Sequence, residues 1–350
     1  MVSQLSESPV YWQIATGSYG RDYARDCLRF GMAFAGEEFL PTMSRIKAGD
    51  RVILKRGNSQ LVAAGVAVER NGRVSGLAER WLHDFDGWDL RAHCYVEWHQ
   101  PEKPAPARGL TRSTIQRVLL PDLQRLTEEI IKKVPAPAHL EPEPTAARRV
   151  PDEEIVRVLA ARGLEPSSKE TLEATLPSLR ELGAFYYEKC DWRHVREIET
   201  RTFLVVPLLA ALGWQARRLK IELATRSGKV DVACFSRPYS HEKNRKPDHD
   251  DCELLIETKG FSSGLTYAPR KAMLYAADFP NCEAIAVSNG YCYKVFTRKD
   301  DGEFADEPSA YVNMLNPRES YPTTPDRCAG CLEALRLLLP GLRGGESAHL

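Results

Sequence analysis

Short apolar and β-branched runs separated by turn residues dominate the first third of the chain. Residues 10–15, Val-Tyr-Trp-Gln-Ile-Ala, form one such run, ended by Gly17. Residues 51–55 follow the turn Ala48-Gly49-Asp50, and residues 61–68 pair naturally with them across Gly57-Asn58, which predicts a hairpin. Residues 93–98 read as a further strand. Over residues 113–133 the apolar positions Ile115, Val118, Leu119, Leu123, Leu126 and Ile130 carry a helical period. Together these elements predict a small, mostly β barrel with one or two helices.

The pattern changes after residue 150. Residues 152–163 predict a short amphipathic helix with Ile155, Val158 and Leu159 on one face, and residues 167–182 predict another. A longer helix is expected from about 192 to 212, stopping at Gly213, where a helix C-cap glycine belongs. Strands are then expected at 229–235, 252–258, 284–288 and 291–297, with a helix over 269–277. Helix, hairpin, helix and two more strands make an α/β core.

Proline marks the boundaries. Pro135, Pro137, Pro142 and Pro144, with Pro151 nearby, stiffen a segment that can be neither helix nor central strand and reads as an extended linker. A weaker break lies at residues 101–107. The 350 residues leave room for about two domains. The expected organisation is 1–133, a linker with short helices over 134–190, and 191–340. No run of about 18 apolar residues is present, the best candidate being 203–212, so no membrane partner is expected. Nor does the N-terminal segment read as a secretory signal. Nine scattered cysteines, several inside apolar runs, suit reduced thiols and a cytoplasmic location. With 48 basic and 48 acidic residues the net charge is zero, which excludes a wholly basic nucleic-acid coat but not a local basic groove. No phosphate-cradling GxxxxGK[ST] occurs, so no nucleotide cofactor is implied. Cys328-Ala-Gly-Cys331 is a single CxxC without a second pair at zinc spacing, and reads as incidental.

Candidate chemistry concentrates between residues 229 and 260. Asp231 sits among apolar residues on one predicted strand, and Leu254-Leu-Ile-Glu257-Thr-Lys259-Gly260 forms a second. Alternation puts Glu257 and Lys259 on the same face of that strand. If the strands pair, Asp231 lies beside Glu257. Two converging carboxylates repel unless a divalent cation sits between them, and hard oxygen ligands suit Mg²⁺, with Mn²⁺ able to substitute. Lys259 could then orient or deprotonate a water, or stabilise charge at a scissile phosphate.

Asp231 followed after 25 residues by Glu257-Thr-Lys259 resembles the PD-(D/E)XK nuclease signature. Upstream, Glu197-Ile-Glu-Thr200-Arg201 and Pro207-Leu-Leu-Ala-Ala-Leu-Gly213-Trp214 resemble the first core helix of the nuclease domain of type I restriction subunits. Downstream, Val287-Ser-Asn289-Gly290-Tyr-Cys-Tyr-Lys-Val-Phe296 is similar to that family's strand–turn–strand ending. The resemblance covers roughly residues 192–300. It implies a restriction-endonuclease-like core in which Asp231 and Glu257 hold Mg²⁺, Lys259 assists the attacking water, and Glu197 adds a further carboxylate, with Glu199 as the competing register. Val230 stands where the signature's leading proline would be. A glutamine–tyrosine pair found in some relatives is matched here by Lys271 and Tyr275. Lys243, Arg245 and Lys246, in the hydrophilic segment between the two strands, and Lys271 are candidate DNA contacts.

The N-terminal motifs Tyr11-Trp12, Gly17-Ser18-Tyr19-Gly20, Ile46-Lys-Ala-Gly49-Asp50-Arg51-Val52 and Ala63-Ala-Gly65-Val66 resemble the PUA-like superfamily, particularly its EVE branch, over about residues 9–130. Such domains are linked to recognition of modified bases, including modified cytosine. Trp12, Tyr19, Trp81, Trp88 and Trp98 are the candidate walls of a pocket for a flipped base.

The whole therefore reads as an α/β and β-rich multidomain protein, with an N-terminal PUA-like β barrel and a C-terminal α/β nuclease core. The implied activity is modification-dependent, Mg²⁺-requiring endonucleolytic cleavage of double-stranded DNA in phage defence. One chain offers one active site, so cutting both strands implies a homodimer on DNA. The competing readings are a non-catalytic nucleic-acid-binding protein that keeps a degenerate nuclease fold, and an RNA-directed nuclease.

Overall fold

The computed structural model describes residues 8–77, 84–138, 147–190, 192–239, 249–321 and 327–341. The chain divides into two units, Met1–Ala146 and Ala147–Leu350.

In the first unit one sheet curls into a half-barrel. Strands β1 (Tyr11–Ala15), β2 (Met32–Ala35), β3 (Arg51–Arg56), β4 (Gln60–Ala67), β5 (Ser75–Leu77), β6 (Ala92–His99), β7 (Ala105–Pro106) and β8 (Ile115–Arg117) belong to it. Their order is β2-β6-β4-β3-β1-β8, with β5 on β6 and β7 on β4. The expected hairpin forms: β3 and β4 pair antiparallel, Val52 opposite Gly65. Gly65 is required by close approach, since a Cβ there would stand 2.4 Å from Val96 Cγ1 and 2.7 Å from the Glu97 carbonyl. Buried Asp50 explains the Gly49-Asp50 turn, because its carboxylate accepts the N–H groups of Val10, Lys47 and the Trp12 indole at 3.0–3.1 Å. Helices α1 (Ala24–Phe30) and α2 (Leu40–Met43) complete the apolar interior.

The helix expected over 113–133 is shorter, α3 (Pro121–Lys133). Pro121 holds Leu120 extended and starts the helix, while Ile115–Arg117 is instead strand β8, paired antiparallel with β1. Leu119, counted toward the helical period, is exposed.

The second unit is a mixed α/β layer structure. Its sheet runs β14 (Ala310–Asn313), β13 (Cys292–Thr297), β12 (Ala284–Ser288), β11 (Cys252–Thr258), β10 (Gly228–Phe235) and β9 (Leu219–Thr225). β11 and β12 pair parallel and the other neighbours antiparallel. Helices α4 (Asp152–Ala161) and α5 (Pro166–Glu188) were expected to belong to the linker. They pack Ile155, Leu159, Leu172 and Leu176 into the same core as the sheet, so the boundary falls near residue 146 rather than 190. Apolar stripes of this width need a partner surface, and the sheet supplies it.

The helix expected over 192–212 begins later, at Glu197, and runs to Ala211 with a π-helical turn inside it. A single helical turn at Trp192–His194 precedes α6 (Glu197–Thr200), a π-helical turn over Arg201–Val205, and α7 (Val206–Ala211). Pro207 has no N–H to give the ladder, and the Val206 N–H reaches back five residues to the Arg201 carbonyl. The stop is as expected: the Trp214 N–H bonds the Leu209 carbonyl at 3.0 Å across Gly213. Helix α8 (Ala268–Ala276) lies between β11 and β12, and α9 (Cys331–Arg336) packs on β14. All nine cysteines are free thiols, Cys328 and Cys331 of the CxxC included. Among the described residues no helix is long and apolar enough to cross a membrane.

Candidate active site

Antiparallel pairing of β10 with β11 sets Val232 opposite Ile256, so the next pair in this register is Asp231 with Glu257. Both carboxylates are buried, Glu257 at 1% exposure. Oε1 of Glu257 accepts from two ammonium groups, Lys259 Nζ and, at 2.7 Å, Lys271 Nζ. Lys259 Nζ also donates to the Thr258 carbonyl at 2.8 Å. Glu257 and Lys259 thus meet on one face, as alternation requires. Lys271 comes from α8 and joins this cluster, whereas the sequence had it as a DNA contact. Burial pulls its ammonium down, but the Glu257 carboxylate holds it above its ordinary range.

Asp231 is held differently. Its Oδ2 accepts the backbone N–H of Thr258 at 2.6 Å and the Thr258 hydroxyl at 3.0 Å. Its Oδ1 accepts from Arg201 Nη1 at 3.1 Å. The second guanidinium nitrogen, Nη2, donates to Glu222 Oε1 at 2.9 Å.

Helix α6 brings the third carboxylate. Burial, and after it the neighbouring Asp231, push the Glu197 carboxyl above the usual range; Lys259 and Lys271 pull it back and Glu257 adds to the rise. Glu197 therefore shares the electrostatic neighbourhood of the other site residues. Glu199 does not: it turns back to accept the Arg196 backbone N–H at 2.9 Å and serves the helix N-terminus. Of the two glutamates, Glu197 is the one coupled to the cluster and Glu199 the one committed to the helix start. Thr200 pins α6 in place, its hydroxyl lying 2.8 Å from the carbonyls of both Glu197 and Lys259. The Asn289-Gly290 turn packs against the same helix, a Cβ on Gly290 falling 3.2 Å from Thr200 Cβ. Asn289 accepts the Cys292 N–H at 2.9 Å and donates to the Ser263 carbonyl at 2.8 Å.

The donor chemistry fits a hard divalent cation. Glu257 Oε2 is a buried oxygen with no hydrogen-bond partner among the described residues, and Asp231 and Glu197 add carboxylate oxygens nearby. Yet among the described residues no three acidic, histidine or cysteine side chains are already gathered as a metal cage. Each of Asp231 and Glu257 is instead neutralised by a protein cation.

Of the expected base-pocket aromatics, the structure brings two together. Tyr19 and Trp88 meet edge to face at 6.0 Å, and the Arg21 guanidinium lies 3.9 Å over the Trp88 ring. Arg21 itself is buried and fixed by the carbonyls of Phe85 and Asp86 at 3.0 and 2.7 Å. Tyr19 is 58% exposed, on a left-handed backbone with φ of 50°. Trp12 and Trp98 are corrected to core residues: both are buried, with their indole N–H groups donated to Asp50 and to the Met32 carbonyl. Trp81, Lys243, Arg245 and Lys246 lie outside the described residues.

Sequence reasoning missed Arg201, Glu222 and the role of Thr258. A lone arginine on a helix otherwise rich in Leu and Val was the available signal for Arg201. Glu222 gave none, since β9 was not anticipated. Among known proteins, no family model matches the chain and no curated protein matches its sequence.

Proposed function

We propose that the second unit is a metal-dependent phosphodiesterase of the PD-(D/E)XK type, acting on DNA. The observation that carries this reading is the convergence of Asp231 and Glu257 on paired strands, with Lys259 on Glu257 and Glu197 in their field. Asp231 and Glu257 would hold Mg²⁺ or Mn²⁺, with Glu197 available to the same ion. Such an ion, when bound, polarises the phosphate and lowers the pKa of water.

The chain's own residues do the rest. Glu257 orients two ammonium groups through one oxygen, so Lys259 and Lys271 present fixed positive charge where a phosphate would approach. Thr258 fixes Asp231 from the strand itself, which preorganises that carboxylate without a long side chain. Glu197, with its carboxyl pushed upward, can hold a proton at its side-chain oxygen more readily than an exposed glutamate.

For the first unit we propose a reader of modified cytosine that receives an extruded base beside Tyr19 and Trp88. A half-exposed tyrosine set against a tryptophan anchored by arginine is the support for this. Reader and nuclease together would make a modification-dependent restriction endonuclease, acting as a homodimer on double-stranded DNA. A second reading, a scaffold that binds nucleic acid without cutting it, is favoured by one observation: both Asp231 oxygens already carry donors from the protein.

Nicking of supercoiled DNA in Mg²⁺ or Mn²⁺ separates the two. The nuclease reading expects nicking that is lost in Glu257→Gln and Lys259→Ala, with DNA binding kept. Binding without nicking in the unaltered protein would select the scaffold.

A further inference from the structure

Arg201 is the protein cation paired with Asp231. It is 5% exposed, and its guanidinium bridges Asp231 Oδ1 at 3.1 Å and Glu222 Oε1 at 2.9 Å. A guanidinium cannot shed its charge in a protein, so it opposes any second cation at Asp231 unless it moves. Moving it away from every carboxylate would leave a buried charge unpaired, which is strongly unfavourable.

Glu222 offers the alternative. It lies on β9, the edge strand of the sheet, and its carboxylate is half exposed. It adopts a left-handed backbone, φ of 51°, a conformation that costs a non-glycine residue and persists only where its surroundings enforce it. Its second oxygen is 3.7 Å from Lys229 Nζ, so the side chain is tethered from both sides. Arg201 also has a donor in reserve: its Nε is buried and has no hydrogen-bond partner among the described residues. Nε and an Nη together form the fork that matches a carboxylate. A small shift toward Glu222 would therefore exchange the Asp231 bond for a second bond to Glu222.

We propose that Arg201 is a built-in counter-cation for Asp231 that yields to a divalent metal ion, and that Glu222 is the acceptor that keeps the displaced guanidinium paired. Both are positioning residues, and the proposal rests on the metal-dependent reading above. It also accounts for a site whose acidic residues carry protein cations rather than forming an open cage.

The test is Mn²⁺ binding by the full-length protein without DNA, measured by calorimetry and by electron paramagnetic resonance of free Mn²⁺. The unaltered protein is compared with Asp231→Asn, Arg201→Gln, Glu222→Gln and the Arg201→Gln/Glu222→Gln double variant. Asp231→Asn is expected to lose the site. Arg201→Gln is expected to bind Mn²⁺ about tenfold more tightly, and Glu222→Gln several-fold more weakly. The double variant should match Arg201→Gln, because Glu222 acts only through Arg201. A residue serving structure alone would not tighten metal binding when removed. Should Arg201→Gln fail to fold, Arg201→Lys, which cannot span both carboxylates, is expected to tighten Mn²⁺ in the same direction. Unchanged or weakened affinity on altering Arg201, with Asp231→Asn still abolishing the site, overturns the counter-cation role while leaving the metal site intact. Equal Mn²⁺ binding by the unaltered protein and Asp231→Asn overturns both proposals.

Discussion

Thr258 donates both its backbone N–H and its hydroxyl to one oxygen of Asp231, at 2.6 and 3.0 Å. The residue between Glu257 and Lys259, which a motif leaves unspecified, thus orients the carboxylate of the neighbouring strand. Thr258→Val keeps the shape and the N–H and removes the hydroxyl. The expected cost is about 1 kcal/mol of stability, read from urea unfolding, with Thr258→Ser recovering most of it. No difference between the two variants would show that the hydroxyl is idle.

Gly290 occupies a turn with φ of 95°, and a Cβ there would lie 2.6 Å from Leu204 Cδ1. Gly290→Ala combines backbone strain with overpacking and should cost about 2–4 kcal/mol. Gly57, with φ of 60° and open space around it, pays the strain alone. Gly57→Ala should cost about 1 kcal/mol. Thermal unfolding of the two variants side by side checks the contrast.

His93 gives the first unit a sensitivity to acid. It is 1% exposed, and burial, opposed in part by a backbone hydrogen bond at Arg91, pushes its pKa down to about 4. The unfolded chain binds a proton near pH 6.5 that the folded one refuses, so stability falls as pH drops from about 6.5 toward 4. The loss attributable to His93 is at most roughly 3 kcal/mol. His93→Leu should flatten the unfolding midpoint over this range and cost little at neutral pH, because an apolar side chain of similar size fills the buried place.

Tyr19 and Trp12 should behave oppositely. Tyr19 is exposed, whereas Trp12 is buried with its N–H on Asp50. Tyr19→Ala is expected to leave stability within about 0.5 kcal/mol of the original while weakening preference for modified DNA. Trp12→Ala should cost about 3–5 kcal/mol of stability. Equal binding of modified and unmodified DNA by both the original protein and Tyr19→Ala would remove the reader from the account.

How much the sequence revealed follows from which signals are local. Strands β10, β11 and β12 were legible because their apolar runs are bounded by charge and glycine, and their pairing brings Asp231 and Glu257 together. Glu197 was legible only as one of two registers, since Glu197 and Glu199 sit on the same short helix and differ in what faces them. The helix over 192–212 starts only at Glu197, after a separate turn at Trp192–His194, and Pro207 opens its ladder into a π turn without ending it. Ile115 fits a helical period and a strand alike, and only its pairing with Ile14 decides. Arg201 and Glu222 escaped because their roles rest on a contact between a helix and an edge strand, 21 residues apart in sequence.

Cleavage by the full-length protein, with Mg²⁺ or Mn²⁺, on matched DNAs carrying unmodified, methylated, hydroxymethylated or glucosylated cytosine decides whether reader and nuclease act together. Asp231→Asn runs beside it as the control. The account predicts cleavage of at least one modified DNA, with the unmodified DNA spared and all cutting lost in Asp231→Asn. No cleavage of any of these DNAs, or cleavage that persists undiminished in Asp231→Asn, would contradict it.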